Sequence, residues 1–441
     1  MAMSEQQHGE AVQAVLRAAD SLQDDTVALL QHLIRFRTEN PKLLATAEPA
    51  EAPCQDFVRQ IWGHLGCQTD SWEVFPGRPD VVGVLKGSGG GRSLILNGHV
   101  DVVPAGDARD WPVDPWAADL RDGKVWGRGA CDMKGGLAAM TMAVRAVQAA
   151  GYRLRGDVIL ESVVDEETGG PGTQQCIDRG YRADAAIVTE PTELRIERVE
   201  GGLEWLRVVV RGRAGHSALR YRSVHAGGHG TAVNAIEKAA KILAAVLELE
   251  RYWAIHKEHP LLPRGITTIN PGVIMGGTGG GKDGQPAVVT SVSTFPDYCS
   301  LELSLKYLPT ETRQDVMAAF EDYIGRVAAA DPWLRDHPPE IEWGIRGVSF
   351  PPASTEEDHP FIQSLVTALE GAGEPVRQAG FVAVSDLAWI AAAGMPCSLL
   401  GPGHAQFAHS ANEHIEVRDL VRGTRVLALA LLNWCGYERV G

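Results

Sequence analysis

Apolar residues recur along the chain with two periods. In DDTVALLQHLIRFRT (24–38), Val27, Leu30, Leu33 and Ile34 fall on one face of a helix whose first turn is acidic, which suits the positive end of its dipole. Residues 51–66 repeat that period through Phe57, Val58, Ile61, Trp62 and Leu65. Runs of strand length follow: VVGVL (81–85), SLILNG (93–98), DVILESVV (157–164) and DAAIVT (184–189), with a helical stretch GGLAAMTMAVRAVQAA (135–150) among them. Short apolar strands alternating with helices predict an α/β fold whose sheet is covered on both faces.

From about Leu203 the pattern changes. LEWLRVVVRG reads as a strand, AVNAIEKAAKILAAVLELERYW as a long helix, TTINPGVIMGG and YCSLELSLKYL as two strands, ETRQDVMAAFEDYIGRVAAA as a second amphipathic helix and EIEWGIRG as a last strand. The order β-α-β-β-α-β is that of a ferredoxin-like unit. It predicts a small domain, residues 201–347, inserted into a larger one formed by 1–200 and 348–441. The larger domain resumes with a helix around FIQSLVTALEG and a strand around MPCSLLG.

Composition narrows the function. The formal net charge of −15 over 441 residues argues against nucleic-acid or anionic-membrane partners, which need clustered Lys and Arg. The N-terminus has no basic start and the chain has no apolar run of about 18 residues, so the expectation is a cytoplasmic protein that neither spans nor binds a membrane. The seven cysteines are scattered without CxxC spacing, as expected of reduced thiols. Any metal would therefore be held by histidines and carboxylates.

Such residues stand directly after the apolar runs. LILNG leads into His99 and Asp101, VILESVVD into Glu166 and Glu167, and DAAIVT into Glu190. Asp132 lies in a glycine-rich loop before a helix, and His409 follows the late strand. Ligands of open α/β sheets bind at the carboxyl ends of strands. Each residue alone has an ordinary reading: a structural histidine, a solvated acidic loop, or Asp132 as a helix N-cap. Together, two histidines and three carboxylates suit two divalent ions sharing one carboxylate. Zinc is the expected metal, and cobalt or manganese could take its place. Asp101 is placed to orient the His99 imidazole, and Glu166 to take a proton from water.

The motifs GHVDVVPAG (98–106), WGRGACDMKGG (126–136), VVDEETGG (163–170), IVTEPT (187–192), GRAGHSA (212–218) and HSANEHI (409–415) resemble those of the two-zinc aminoacylase/carboxypeptidase-G superfamily, in order and from about residue 24 to the end. Within it the chain is similar to the acetylornithine deacetylase and succinyl-diaminopimelate desuccinylase group. The resemblance implies a zinc-exopeptidase-like catalytic domain with the inserted unit as lid and dimerisation domain, and hence a homodimer. His99, Asp132 and Glu190 would hold one metal; Asp132, Glu167 and His409 the other. Glu166 would be the general base, Asp101 would orient His99, and the Asp132–Met133 peptide would be cis. His216 would polarise the substrate carbonyl from a neighbouring subunit, Asn270 would contact substrate, and the backbone of Gly401–Gly403 would face a substrate anion.

The implied activity is hydrolysis, by a metal-bridging water, of an N-acyl or related C–N bond in a small polar molecule. Alternatives are a dipeptidase or exopeptidase of the same superfamily, hydrolytic removal of an aromatic amine, and a metal-dependent binding protein without catalysis. Lys306 stands where many relatives carry an arginine; a point charge replaces a bidentate fork, which points to a substrate without the usual amino-acid carboxylate. TTINPGVIMGG and DPWLRDHPP resemble segments of family deacylases and deformylases acting on non-peptide amides. GGTGGGKD (276–283) imitates a phosphate loop but has Asp283 where Ser or Thr would bind magnesium, and it reads as a lid loop. GSGGG (87–91) reads as a turn between strands. His225 and His229 lie among glycines and edge the site or solvate a loop.

Overall fold

The computed structural model describes residues 5–44, 49–223, 232–289 and 291–440; His225 and His229 lie outside the described residues. The chain divides into two compact units. One runs to Val199 and takes up again at Ala353–Phe381 and from Ser385 onward; the other is Glu200–Pro352 with Val382–Val384. Residues 348–352 and 382–384, placed in the catalytic domain from the sequence, thus belong to the second unit. The N–H of Trp205 donates to the carbonyl of Val348, Leu203 pairs with Phe350, and Lys306 Nζ donates to the carbonyl of Val382.

The first unit is built on a nine-stranded mixed sheet. Leu94–His99, Val158–Val163, Ala186–Val188 and Cys397–Leu399 run parallel at its centre, flanked by antiparallel strands that include Gln68–Phe75 and Arg78–Leu85. Alternation along these strands divides two cores. Leu94, Leu96, Val158, Leu160 and Ile187 face helices Gln23–Arg35, Lys134–Ala149, Pro360–Ala372 and Val417–Cys435. Ile95, Ile159, Val163, Ala186 and Val188 face the other core with Cys176, Leu387 and Ile390. Both faces are covered, so the strands carry continuous apolar runs. The run 87–91 is a close crossing of backbones: a Cβ on Gly91 would lie 2.0 Å from the carbonyl oxygen of Cys435.

The second unit has the order strand Gly202–Arg211, helix Ala235–His256, strands Ile269–Gly280 and Tyr298–Tyr307, helix Arg313–Ala329 and strand Glu340–Trp343. The Tyr298–Tyr307 strand lies between the first two strands, antiparallel to both, and the last pairs beside Gly202–Arg211, as in a ferredoxin-like sheet. Residues 281–285 turn the Ile269–Gly280 strand back into Pro286–Val288, so the glycine-rich decoy is a β-hairpin. No described helix is long and apolar enough to cross a membrane.

Candidate metal centre

The parallel strands end together, and each delivers a candidate ligand. His99 is the last residue of Leu94–His99, fully buried. After Val163 the chain turns through Asp165, at φ 71°, into a 3-10 turn carrying Glu166 and Glu167. Glu190 follows Val188 by two residues. Asp132 sits in the loop before helix Lys134–Ala149. The cap position of that helix is Met133, so the Asp132 carboxylate is free for other work. The Asp132–Met133 peptide is cis. The helix comes close enough because Gly136 has no side chain: a Cβ there would lie 2.0 Å from the carbonyl oxygen of Thr189. His409, at φ 60°, is reached through a loop ten residues beyond the last parallel strand, not directly after it.

These side chains converge. His99 Nε2 lies 3.2 Å from Asp132 Oδ1, 3.6 Å from Glu190 and 3.8 Å from Glu166. His409 Nε2 lies 3.2 Å from Asp132 Oδ2 and 3.1 Å from Glu167. Asp132 therefore offers one oxygen to each imidazole, the arrangement a bridging carboxylate needs. The ligand atoms of His99, Asp132 and Glu167, and those of His99, Glu166 and Glu190, lie within 4.8 Å of one another. Glu166, expected beside the ligands, is thus within reach of the same centre.

The electrostatics are those of a cation site. Among the described residues, no lysine or arginine pairs with Asp132, Glu166, Glu167 or Glu190. Glu167 Oε1 is buried without a hydrogen-bond partner. Burial, followed by neighbouring carboxylates, holds the carboxyls of Glu166 and Glu190 well above their usual range. Burial also acts on Asp132, but hydrogen bonds from His409 and His99 outweigh it and hold its carboxyl low. Hydrogen bonds to Asp132 and Glu167 push His409 up to about 10. A centre this negative holds positive charge, and its N and O donors without thiolate fit zinc-type divalent ions. The residues present thus fit two divalent metals.

Asp101 works differently from the sequence expectation. His99 Nδ1 donates to the backbone carbonyl of Asp101 at 2.8 Å, while the nearer carboxylate oxygen is 3.8 Å away. That hydrogen bond still fixes the imidazole with Nε2 facing the ligands. The Asp101 carboxylate instead accepts the backbone N–H of Glu166 at 3.2 Å and of Glu167 at 3.4 Å.

Sequence reasoning also missed Glu413. Strand His414–Glu416 pairs with Lys124–Trp126 and brings Glu413 beside the Asp132 loop. There it accepts the N–H groups of Cys131 and Asp132 at 2.9 and 3.1 Å and pairs with Arg128 at 2.6 Å, fully buried. Its place in HSANEHI, directly before a strand, was the available signal. Of the substrate residues, His216 and Asn270 are exposed in the second unit. Lys306 is there too, bonded to the carbonyl of Val382. Gly403 lies in the first unit, buried at φ 93°, and its carbonyl accepts the N–H of Glu193.

A model of Peptidase family M20/M25/M40 matches residues 95–433. The N-formyl-4-amino-5-aminomethyl-2-methylpyrimidine deformylase of Halalkalibacterium halodurans is 37% identical over 96% of this chain and 97% of its own. The acetylornithine deacetylase of Myxococcus xanthus is 30% identical over 81% of this chain and 84% of its own. Among solved structures, the Bacillus subtilis YXEP protein, a dinuclear metal-binding peptidase of family M20, matches with a TM-score of 0.64 over 94% of this chain and 99% of that chain, at 14% identity. The family match spans well over half of the sequence, and the chain is an amidohydrolase belonging to Peptidase family M20/M25/M40.

Proposed function

We propose that the enzyme hydrolyses the formamide of an N-formylated aminomethyl heteroaromatic compound, releasing formate and a primary amine. The observation that carries this reading is the nearly end-to-end match to a relative named for that reaction. Lys306 supports it. Its Nζ is 2.5 Å from the carbonyl of Val382, and burial lowers its pKa. A lysine committed to a backbone carbonyl offers no fork to a substrate carboxylate.

In this reading His99, Asp132 and Glu190 would hold one zinc and Asp132, Glu167 and His409 the other. Bound divalent ions supply the Lewis acidity that polarises an amide carbonyl and acidifies water. Glu166 takes a proton from the attacking water at its carboxylate and returns it to the leaving amine. The burial that raises its pKa suits a proton carrier. His216 Nδ1 accepts the N–H of Ala218 at 3.1 Å, so the neutral ring carries its proton on Nε2, as a donor to the carbonyl oxygen must. The partner subunit of a homodimer built on the second unit would bring it in. Asn270 and the Gly401–Gly403 backbone contact substrate in the same reading. Seven free, buried cysteines support a reducing, cytoplasmic setting.

The test is a metal-analysed preparation assayed for release of formate, acetate, free primary amine and ammonia against N-formyl-4-amino-5-aminomethyl-2-methylpyrimidine, N-acetylornithine and dipeptides, with a chelator control. We expect formate from the first compound with kcat/KM at least about 100-fold above the others, a margin worth roughly 2.7 kcal/mol. Faster cleavage of acetylornithine or a dipeptide, or ammonia without formate, would overturn the assignment.

A further inference from the structure

The turn carrying Glu166 and Glu167 is anchored by the carboxylate of Asp101 and the backbone of Asp165. Asp101 accepts the backbone N–H groups of both glutamates. Asp165 starts the turn in a left-handed conformation, and its carbonyl accepts the N–H of Gly170 at 3.0 Å. Both aspartates are wholly buried, and between them stands Asn40, equally buried. Asn40 Nδ2 donates to Asp101 Oδ2 at 2.8 Å and to Asp165 Oδ1 at 3.1 Å. Its own position is fixed on both sides. Its backbone N–H donates to the carbonyl of Val102 at 2.9 Å, and its Oδ1 accepts the N–H of Lys42 at 3.0 Å.

An amide nitrogen carries two protons, and its two shortest bonds here reach different carboxylates, with Thr168 Oγ1 of the same turn a longer contact at 3.4 Å. No other side chain of this size does the same. Aspartate would add a third carboxylate, leucine would leave Asp101 without this donor and Asp165 held by Arg78 and Lys42 alone, and serine has a single proton to give. We infer that Asn40 is a positioning residue of the hydrolytic site, holding Glu166 and Glu167 in place through Asp101 and Asp165. Its side chain bonds to Asp101, Asp165, Thr168 and the backbone of Lys42, and to none of the candidate ligands. The inference rests on the proposed roles of Glu166 as base and Glu167 as ligand.

The test uses the full-length enzyme and the variants Asn40→Leu, Asn40→Asp and Asn40→Ser. Zinc affinity is read on metal-free protein by competition with a chromophoric chelator, independently of activity. kcat and KM are read at saturating zinc with the formamide substrate. Loss of an outer residue of this kind costs about 10–100-fold in affinity or rate. We expect Asn40→Leu and Asn40→Asp to weaken one of the two zinc ions by that factor, to lower kcat similarly and to leave KM within about twofold. Asn40→Ser falls between them and wild type, and it serves as the test protein should the other two fail to fold. Folded variants with wild-type zinc binding and kcat, changed only in thermal stability, overturn the inference and leave the proposed function intact. A wild-type enzyme that binds no second zinc or releases no formate removes the proposed function, and the inference with it.

Discussion

Glu413→Gln tests the anchoring of the Asp132 loop most directly. Glutamine keeps a carbonyl oxygen for the N–H groups of Cys131 and Asp132, so the change chiefly removes the charge opposite Arg128. That pair is 2.6 Å apart, with side chains 3% and 1% exposed. Arg128 keeps two weaker interactions, a 3.3 Å hydrogen bond to the carbonyl of Pro104 and the face of Trp111 at 5.1 Å. Neither neutralises a guanidinium. Removing one partner of a buried pair costs about 3–5 kcal/mol, because the other charge is left uncompensated. Arg128→Met strands Glu413 instead, though two backbone N–H donors remain to it, so about 2–4 kcal/mol is expected. The double variant strands no charge and should lie within about 2 kcal/mol of wild type, far above the sum of the single losses. Urea unfolding of the metal-free protein, followed by tryptophan fluorescence, gives all four corners of the cycle. A Glu413→Gln protein as stable as wild type, or a double variant as unstable as the two losses added, would refute the reasoning.

Three further outcomes follow from the same geometry. Glu166→Ala should retain both metals by elemental analysis yet lose about 10²–10⁴-fold in kcat, the usual worth of a positioned general base; near-normal turnover would reassign the base. Asp331 of the second unit is buried and accepts from Lys238 and Lys241, which hold its carboxyl low against the effect of burial. A depressed folded pKa gives stability that is present above the unfolded value near 3.9 and lost as pH falls. Asp331→Asn should therefore cost roughly 1–3 kcal/mol at pH 7, with the gap to wild type narrowing below about pH 4; a gap that stays constant with pH would exclude the ion pairs as its source. Gly136→Ala must push helix Lys134–Ala149 away from the carbonyl of Thr189, costing roughly 1–3 kcal/mol and weakening zinc binding through Glu190, as thermal melts with and without metal would show.

The sequence makes the strands and three of the five candidate ligands legible for one reason. Continuous apolar runs end in His99, the Glu166–Glu167 pair and Glu190, and parallel strands must end on one side. What it conceals are partners joined across long sequence distances. Asn40 meets Asp165 from 125 residues away, and Glu413 meets Asp132 from 281 residues away. Neither has a period or spacing to betray it. Asp101 was legible as a residue but not in its manner of working: two positions from His99, its carboxylate was the obvious partner for the ring, yet the backbone carbonyl takes that bond. The first helix, Glu5–Ser21, and the last, Val417–Cys435, were also missed, although both bury apolar stripes in the larger core.

The anchoring has a common logic. Every loop bearing a candidate ligand could have been fixed by a lysine or arginine bound to the ligating carboxylate itself, but that would cancel the charge a divalent ion needs. Instead carboxylates one layer out, Asp101 and Glu413, grip the backbone N–H groups of Glu166, Glu167 and Asp132. The cations stand further out still: Arg128 on Glu413, and Arg78 with Lys42 on Asp165. Backbone N–H donors fix position without bringing a net charge, so no lysine or arginine competes for the inner carboxylates while the outer acids stay compensated. Asn40 fits the same layering: it joins Asp101 to Asp165 through a neutral amide, while the charge of Asp165 is met from its other side by Arg78 and Lys42.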